Sequence, residues 1–433
     1  MADLLEISSR IIDSGVLSEP TNRITNELSE VGDGVAMVES FSHSVVVDTG
    51  DGLLAVDTSH DRTGADVVDA IKGWSASPVR HVVYTHGHAD HVGGYRHFAA
   101  AYGEVPVLGH RNVATRFERY RNMNDWNLLI NARQFGGVRQ DFGMGNEGGG
   151  AAPGRFIPDD TKAPDLVVDD TWTQRIGDIE VTWHHANAET DDHVWGWEPT
   201  RRWLFTGDLM TWLFPNAGNP QKVQRYPVEW AAALRSMVEL GPELLLPAHG
   251  LPIEGRQRIE IVLTDVAAAL EQLVDDVITM MNAGETLDTI IHTATVPAAT
   301  LAKPYLLPLY DEPEFMVRAV WRQNGGWWDG AASRLKPAPD AQLAGELAAL
   351  AGGAGALAER AREVADAGDF RLASHLADLA GWAEPDDPGV HRVRAGIYRD
   401  RRAAESSLMA KGIFAGAARE SEAIAGGDAA NSR

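Results

Sequence analysis

The first 255 residues alternate short apolar, β-branched runs with turns and helical stretches. The runs GVAMVES, SVVVDTG and LLAVDTS, separated by Gly, Asp and Ser, are typical of adjacent strands in one sheet. ADVVDAIKGW has helical spacing, and VRHVVYT is an apolar strand that leads directly into THGHADH. Strand patterns return in IEVTWHHA, HVWGWE, RRWLFTGD and ELLLPAHG. The pattern predicts an α/β layered domain over residues 1–255, with polar residues just past the ends of its strands.

The pattern changes after GLPIEG. From about residue 259 the chain is rich in Ala, Leu, Glu and Arg at helical spacing, which predicts an all-α domain over residues 256–415. Residues 416–433 are predicted to form a flexible tail. In the first half, residues 136–154 contain too many glycines for a regular element and predict a loop near the functional site.

Composition and charge exclude several classes of function. The 433 residues have a formal net charge of −24, which argues against nucleic acid and anionic membranes as partners, because both require a basic surface. The chain has no cysteine, so any metal ligands must be His, Asp or Glu. No apolar run reaches the roughly 20 residues that span a bilayer, and the first residues lack the pattern of a signal peptide. A cytoplasmic protein is therefore predicted.

The stretch HVVYTHGHADHVGGYRHF contains the main chemical signal, spaced as His86-x-His88-x-Asp90-His91. Zinc accepts imidazole nitrogen and carboxylate oxygen and takes about four such ligands. A tight loop after a strand can direct His86 and His88 toward one metal and Asp90 and His91 toward a second. The alternative is a solvated, histidine-rich surface loop. The order of ligand types and the preceding apolar strand favour a metal site.

This motif resembles the HxHxDH signature of the metallo-β-lactamase superfamily, whose fold is an αββα sandwich with a one- or two-metal site at one end. VVVDTGDGLLAVDTS looks like the early strand pair of that fold, and LFTGDLM and LLPAHG look like its later ligand segments. The resemblance implies that Asp208 is a bridging carboxylate and His249 the last ligand. It also implies a cofactor of two Zn²⁺ ions per subunit. Taken singly, Asp208 could be a turn residue and His249 a core histidine.

One ligand position departs from the commonest pattern of the superfamily. The segment WHHANAETDDHVWGW has Glu189 where a histidine is usual, and the alkyl sulfatase branch is similar in using glutamate there. The alternatives are that Glu189 is a solvated loop carboxylate, or that His185 or His193 completes the first metal site.

The second half also resembles the alkyl sulfatases. DEPEFMVRAVWRQNGGWWDGAASRLKP is similar to their segment ending in a Gly-Trp-aromatic-Asp-Gly turn, and the following helices resemble their dimerisation domain, which implies a homodimer. Two features differ: a sterol-carrier-like C-terminal domain is not expected, and Asp208 stands where those enzymes have glutamate. The segment after it, TWLFPNAGNPQKVQRYP, offers Asn219, Lys222 and Arg225 as substrate-binding candidates. Lys222 and Arg225 could equally be surface charges.

The resemblance implies a dinuclear zinc hydrolase that cleaves sulfate monoesters with a metal-activated water, with Asp90 as the catalytic carboxylate. The substrate would be a small anionic ester, with neither nucleic acid nor membrane as a partner. One alternative is another hydrolase of the metallo-β-lactamase fold, such as a phosphoesterase, a lactonase or a β-lactamase-like enzyme. A non-enzymatic alternative is a metal-stabilised helical adaptor, which predicts an incomplete ligand set.

Overall fold

The computed structural model describes residues 3–135 and 154–426. The Gly-rich stretch predicted to form a loop near the site lies outside the described residues, except for Gly154. The described chain divides into two compact units. The first unit contains residues 3–131 and 154–327, and the second contains residues 132–135 and 328–426.

The first unit contains two sheets. The larger sheet has seven strands in chain order, antiparallel from the first to the fourth and parallel from the fourth to the seventh. Its strands are β1 (Leu28–Gly32), β2 (Val35–Val38), β3 (Ser44–Asp48), β4 (Leu53–Val56), β5 (Val79–Val83), β6 (Val107–His110) and β7 (Leu166–Val168).

The second sheet has six strands in the order β13-β12-β11-β10-β9-β8. All neighbours are antiparallel except β11 and β12, which are parallel. Its strands are β8 (Thr171–Ile176), β9 (Ile179–Ala186), β10 (His193–Glu198), β11 (Trp203–Gly207), β12 (Leu244–Pro247) and β13 (Ile253–Glu254).

Strands β2, β3, β4 and β6 of the larger sheet are buried on both faces, which explains why they read as continuous apolar runs. In β3, Val45 and Val47 point into the core shared with the second sheet, whereas Val46 points into the core beneath the outer helices. The outer faces of the two sheets are covered by different helices, α2 and α4 on the larger sheet and α7 and α8 on the second. This arrangement confirms the predicted α/β class and the αββα layering.

The helices of the first unit are α1 (Leu4–Ser14), α2 (Gly64–Trp74), α3 (Ala89–Val92), α4 (Tyr95–Tyr102), α5 (Asn112–Asn122), α6 (Asn124–Phe135, which ends in the second unit), α7 (Pro227–Leu240), α8 (Arg256–Asn282), α9 (Leu287–Thr293), α10 (Ala298–Leu301) and α11 (Pro313–Gly325). Helix α8 packs on α7 within this unit. Among the described residues no helix has both the length and the apolar character needed to cross a membrane.

The second unit is helical. It contains α12 (Ala332–Leu335), α13 (Asp340–Ala351), α14 (Ala354–Asp366), α15 (Phe370–Ala383), α16 (Pro388–Ala404) and α17 (Leu408–Gly426). Its core is built largely from small residues such as Ala358, Ala361 and Ala377, which let neighbouring helices approach closely. The helical second half predicted from the sequence is confirmed.

Candidate metal centre

The histidine-rich loop follows β5 at the edge where three parallel strands end. Strand β5 lies between β4 and β6 and is parallel to both, so polar residues just past these strands meet there. The loop is anchored through its backbone, because the Gly87 N–H donates a hydrogen bond to Asp192 Oδ2 at 3.1 Å. That carboxylate also forms a buried ion pair with Arg116 Nε at 2.7 Å. These contacts hold the backbone of the loop in place.

Asp57, just past β4, orients one histidine of the motif. Its carboxylate accepts hydrogen bonds from the Thr85 N–H (2.7 Å) and the Thr85 hydroxyl (2.8 Å), and Oδ2 lies 2.8 Å from His91 Nδ1. Because Nδ1 is engaged with Asp57, the Nε2 of His91 is left to face the remaining polar groups. Its Nε2 lies 3.5 Å from oxygens of both Asp90 and Asp208.

Two groups of three side chains are close enough together to hold a metal ion. The first consists of His86, His88 and Asp208, and the second consists of Asp90, His91 and His249. In each group the nitrogen and oxygen atoms that could bind a cation lie within 4.8 Å of one another. The two groups thus contain six of the seven residues proposed as ligands, all except Glu189.

Asp208 belongs to the first group and also borders the second. Its Oδ2 is 3.8 Å from His86 Nε2 and 3.5 Å from His91 Nε2, while its Oδ1 is 3.7 Å from His249 Nε2. It follows β11 directly after Gly207, whose φ of +53° and close neighbour His193 leave no room for a side chain. This tight turn places the Asp208 carboxylate within reach of both sites.

The electrostatics of the cluster suit a cation. Burial opposes ionisation of Asp90 and Asp208, but His91 and His249 outweigh it and hold the pKa of both carboxyls below the usual value. Burial also opposes protonation of His91, yet Asp208, Asp90 and Asp57 raise its pKa well above the usual value. The second group therefore pairs ionised carboxylates with positive charge, and a metal ion can replace the protons.

The unpaired atoms of the cluster point to the same conclusion. Within the described residues, His91 Nε2 and Asp208 Oδ1 are buried without a hydrogen-bond partner. Leaving such an atom unpaired costs about 1–3 kcal/mol, which a bound cation would offset. Imidazole and carboxylate ligands are the set that zinc prefers in the absence of cysteine. The residues present fit a pair of such ions.

Glu189 borders the first group. Its Oε1 lies 3.6 Å from His88 Nδ1 and 3.2 Å from Arg225 Nη1, and it accepts a hydrogen bond from Asn216 Nδ2. Burial raises the pKa of its carboxyl to about 7, although Arg225 acts in the opposite direction. Its side chain is 8% exposed, so Glu189 is not a solvated loop carboxylate.

The other two candidates for this position are engaged elsewhere. The Nε2–H of His185 donates to the Asp191 carbonyl at 3.1 Å, and its ring stacks on His110 with 3.8 Å between centroids. His193 stacks against His86, but its Nε2 accepts a hydrogen bond from the Asp208 backbone N–H at 3.1 Å. Glu189, by contrast, brings a carboxylate oxygen to 3.6 Å from His88 Nδ1.

The substrate-binding candidates lie in the segment between β11 and α7. Arg225 is 2% exposed, and its guanidinium is bound to the Glu189 carbonyl and side chain. Lys222 Nζ donates to Asn131 Oδ1 at 3.2 Å, and burial, aided by Arg225, lowers its pKa to about 7. Asn219 is also buried, and its Oδ1 accepts a hydrogen bond from the Gln221 N–H. Neither Lys222 nor Arg225 is an exposed surface charge.

Three residues at the cluster are missing from the sequence-based assignment. Asp57 could have been found, since it is the aspartate of LLAVDTS at the end of a strand next to β5. Asn216 and Tyr310 have no local signal. The pKa of Tyr310 is raised well above its usual value by burial and then by Glu189 and Asp90.

Comparisons with known proteins match the two halves separately. The metallo-beta-lactamase superfamily matches residues 37–249, which contain all the candidate ligands. The alkyl sulfatase dimerisation family matches residues 286–423. A linear primary-alkylsulfatase of Pseudomonas sp. is 26% identical over 91% of this chain and 75% of its own length. An (R)-specific secondary-alkylsulfatase of Pseudomonas sp. is 23% identical over 83% of this chain and 56% of its own length.

A solved structure shares the fold. The stereoselective inverting sec-alkylsulfatase Pisa1 from Pseudomonas sp. superimposes with a TM-score of 0.80 over 92% of this chain and 65% of its own, at 20% identity. The chain thus spans less than two thirds of that structure and of most of the curated relatives it matches. The chain belongs to the metallo-β-lactamase superfamily, in its alkyl sulfatase-like branch, and carries the alkyl sulfatase dimerisation region.

Proposed function

We propose that this chain is a dinuclear zinc hydrolase that cleaves sulfate monoesters. The observation that carries the proposal is the pair of adjacent three-residue groups, which Asp208 of the first group connects through its contacts with His91 and His249 of the second. The chain is also similar to alkylsulfatases over most of its length. An incomplete ligand set, as expected for a metal-stabilised adaptor, is not what these residues form.

One ion would be held by His86, His88 and Asp208, and the other by Asp90, His91 and His249 together with Asp208. Glu189 would complete the first site beside His88, and Asp90 would serve both as a ligand and as the catalytic carboxylate of the second site. Asp90 suits this role because its side chain is 22% exposed, whereas His91 beside it is fully buried. The cluster is thus open to substrate on the side of Asp90. When bound, the two ions would supply an activated water and Lewis-acid contacts to the ester.

The remaining problem is attraction of an anion by a chain with a net charge of −24. We propose that Lys222 and Arg225 supply the local positive charge and that Asn219 adds a neutral hydrogen-bond donor to the sulfate. Both cations act on Glu189 electrostatically, which supports their placement close to the first site.

The proposed assembly is a homodimer, with residues 1–255 as the catalytic domain and residues 256–415 as the dimerisation domain. The match of residues 286–423 to the dimerisation family supports this assignment. Neither nucleic acid nor a membrane is proposed as a partner, and the cytoplasmic location stays a prediction.

The activity test is a panel of substrates given to the zinc-loaded protein. We expect sulfate release from medium-chain alkyl sulfates, loss of the activity with a chelator, and recovery with zinc. Phosphodiesters, lactones and a chromogenic β-lactam represent the other hydrolases of the superfamily. Turnover of any of these substrates without turnover of a sulfate ester would reject the sulfatase proposal and indicate the hydrolase that acts on that substrate.

The ligand assignment is tested by metal analysis. We expect two zinc ions per subunit in the unmodified protein and about one in Glu189→Ala, since removal of a carboxylate weakens the first site. Glu180→Ala is the control, because Glu180 is an exposed glutamate on β9, the strand that precedes Glu189. Unchanged zinc content in Glu189→Ala would reject Glu189 as a ligand.

A further inference from the structure

The Asn219 segment (residues 212–226) lies between β11 and α7 and forms neither helix nor strand. Its first part, residues 212–219, is nevertheless entirely buried. The segment contains Asn216, which donates to Glu189, and the substrate-binding candidate Asn219. Buried backbone N–H groups need hydrogen-bond partners, and an irregular segment does not supply all of them itself. The partners that it finds elsewhere in the chain therefore help to set the position of Asn219.

A stretch far along the sequence supplies such partners. Residues 307–319 include the start of α11 and belong to the first unit, although they follow the proposed domain boundary at residue 255. Three hydrogen bonds join this stretch to the Asn219 segment: from the Phe214 N–H to the Leu307 carbonyl (3.1 Å), from the Gly218 N–H to Asp311 Oδ2 (2.6 Å) and from Gln224 Nε2 to the Ala319 carbonyl (2.9 Å). The segment is thus held near its beginning, its middle and its end.

Asp311 provides the one side chain among these three acceptors. It is fully buried, and its two oxygens accept backbone N–H groups, Oδ2 from Gly218 at 2.6 Å and Oδ1 from Glu312 at 2.7 Å. Burial raises the pKa of its carboxyl to about 7, against the opposite effect of these two N–H groups. Burying such a group costs free energy, so an apolar residue would serve packing better. What Asp311 adds is a defined position for the backbone at Gly218.

Gly218 is packed tightly against the first turn of α11. A Cβ at Gly218 would lie 2.1 Å from the Met316 nitrogen and 2.2 Å from the Phe315 carbonyl carbon. The backbone of the segment is therefore in direct contact with the backbone of the helix. The helix blocks a shift of Gly218 in one direction, and the hydrogen bond to Asp311 opposes a shift away from it. Asn219 is the next residue in the chain.

We propose that Asp311 is a positioning residue for the anionic substrate, because through Gly218 it holds Asn219 where its side chain binds the sulfate group. The inference rests on the proposed function, in which Asn219 donates to the sulfate. Asp311 itself is inaccessible to substrate, with 0% exposure. Hydrogen bonds weaken with small changes in distance and angle, so a displaced Asn219 would bind the anion less tightly.

The first test separates binding from the chemical step. In Asp311→Ala we expect KM for an alkyl sulfate to rise about tenfold, through loss of one hydrogen bond to a charged group, while kcat changes less than about twofold. Asp311→Asn keeps an oxygen for the Gly218 N–H and should return KM to within about threefold of the unmodified protein. Asp387→Ala is the matched control, because Asp387 also accepts two backbone N–H groups, in the second unit.

A double variant shows whether Asp311 acts through Asn219. If it does, Asp311→Ala combined with Asn219→Ala has the same KM as Asn219→Ala alone, since the contact that Asp311 positions is already lost. Effects that multiply would show a general loosening of the fold and reject the proposal. If Asp311→Ala does not fold, Asp311→Ser replaces it, because its shorter side chain favours the local bond from the Glu312 N–H.

Amide hydrogen exchange tests the holding contact without a substrate. The amides of residues 212–219 are expected to exchange at least about tenfold faster in Asp311→Ala than in the unmodified protein, and at the unmodified rate in Asp387→Ala. Unchanged exchange in Asp311→Ala would reject the contact. Faster exchange with an unchanged KM would show that the contact does not serve the substrate, and would also reject the proposal.

Failure of the proposed function is recognised separately. If the zinc-loaded protein hydrolyses no sulfate ester, that function is rejected, and Asp311 is then judged by calorimetric binding of inorganic sulfate. Weaker sulfate binding by Asp311→Ala than by Asp387→Ala would support the positioning role even then. Equal binding by the two variants, or no binding by the unmodified protein, would overturn it.

Discussion

At the scale of single residues, Asp57 links the histidine-rich loop to the neighbouring strand. It holds His91 through Nδ1 and the loop backbone through Thr85, and it is itself fully buried. Its φ of +62° is a strained conformation for a residue with a side chain, which persists only where surrounding contacts impose it. The orientation of His91 is thus fixed by a residue outside the two candidate ligand groups.

We predict that Asp57→Asn weakens zinc binding roughly 10- to 100-fold, as is typical when a carboxylate behind a metal-bound histidine is lost. Competition with a chromogenic chelator measures the change. Asp48→Asn is the control, since Asp48 ends the adjacent strand β3 but is exposed and bonds to a turn. Equal zinc affinity of Asp57→Asn and the unmodified protein would contradict the role of Asp57.

The proposed role of Lys222 in binding the substrate anion predicts a dependence on pH. Because burial lowers its pKa to about 7, Lys222 is charged below that pH and loses its charge as the pH rises through it. We predict that KM for an alkyl sulfate rises about tenfold above pH 7, through loss of one charge-assisted contact. In Lys222→Arg the charge persists and the rise should disappear. Lys72→Arg, at the end of α2, should retain it.

At the scale of elements, the loops after β4 and β5 meet at Gly94. The Gly94 N–H donates to the Ser59 carbonyl at 3.0 Å, and a Cβ at Gly94 would lie 2.0 Å from the Thr58 carbonyl oxygen. Its φ is negative, so glycine is required by close approach and not by conformation. This contact keeps the loop containing Asp57 against the loop containing His91.

Gly94→Ala is therefore expected to destabilise the fold by roughly 1–3 kcal/mol, the usual cost of overpacking. Chemical denaturation gives the free energy of unfolding. Gly73→Ala on α2 is a control with the opposite sign: no atom lies within 4 Å of its added Cβ, so the helix should gain roughly 0.5–1 kcal/mol. A Gly94→Ala protein as stable as Gly73→Ala would contradict the close contact.

At the scale of the whole molecule, the net charge of −24 opposes the approach of the proposed anionic substrate. The Debye length falls from about 30 Å at 0.01 M salt to about 8 Å at 0.15 M, so added salt screens the distant charges more than the buried cations at the site. We predict that kcat/KM for an alkyl sulfate rises several-fold over this range, while that for a neutral ester stays constant. A fall with salt would show that local cations dominate the approach.

The separation of the site residues along the sequence explains which of them could be predicted. His86, His88, Asp90 and His91 lie within six residues of each other, so local spacing was enough to propose them. Glu189 follows from the alkyl sulfatase resemblance, but its contact with Arg225 joins residues 36 positions apart in the sequence. Tyr310 lies still further along the chain, and no pattern around it indicates the influence of Glu189 and Asp90 on its pKa.

The sequence by itself determined the α/β and helical halves, the residue types available for a metal site and the order of the candidate ligands. It could do so because periodicity and ligand spacing are local properties of the chain. Only the tertiary structure decided that Asp57 orients His91, that Glu189 contacts Arg225 and that α13 exposes its leucines. Those features depend on which strand ends and helix faces meet, and such contacts between distant residues leave no trace in local pattern.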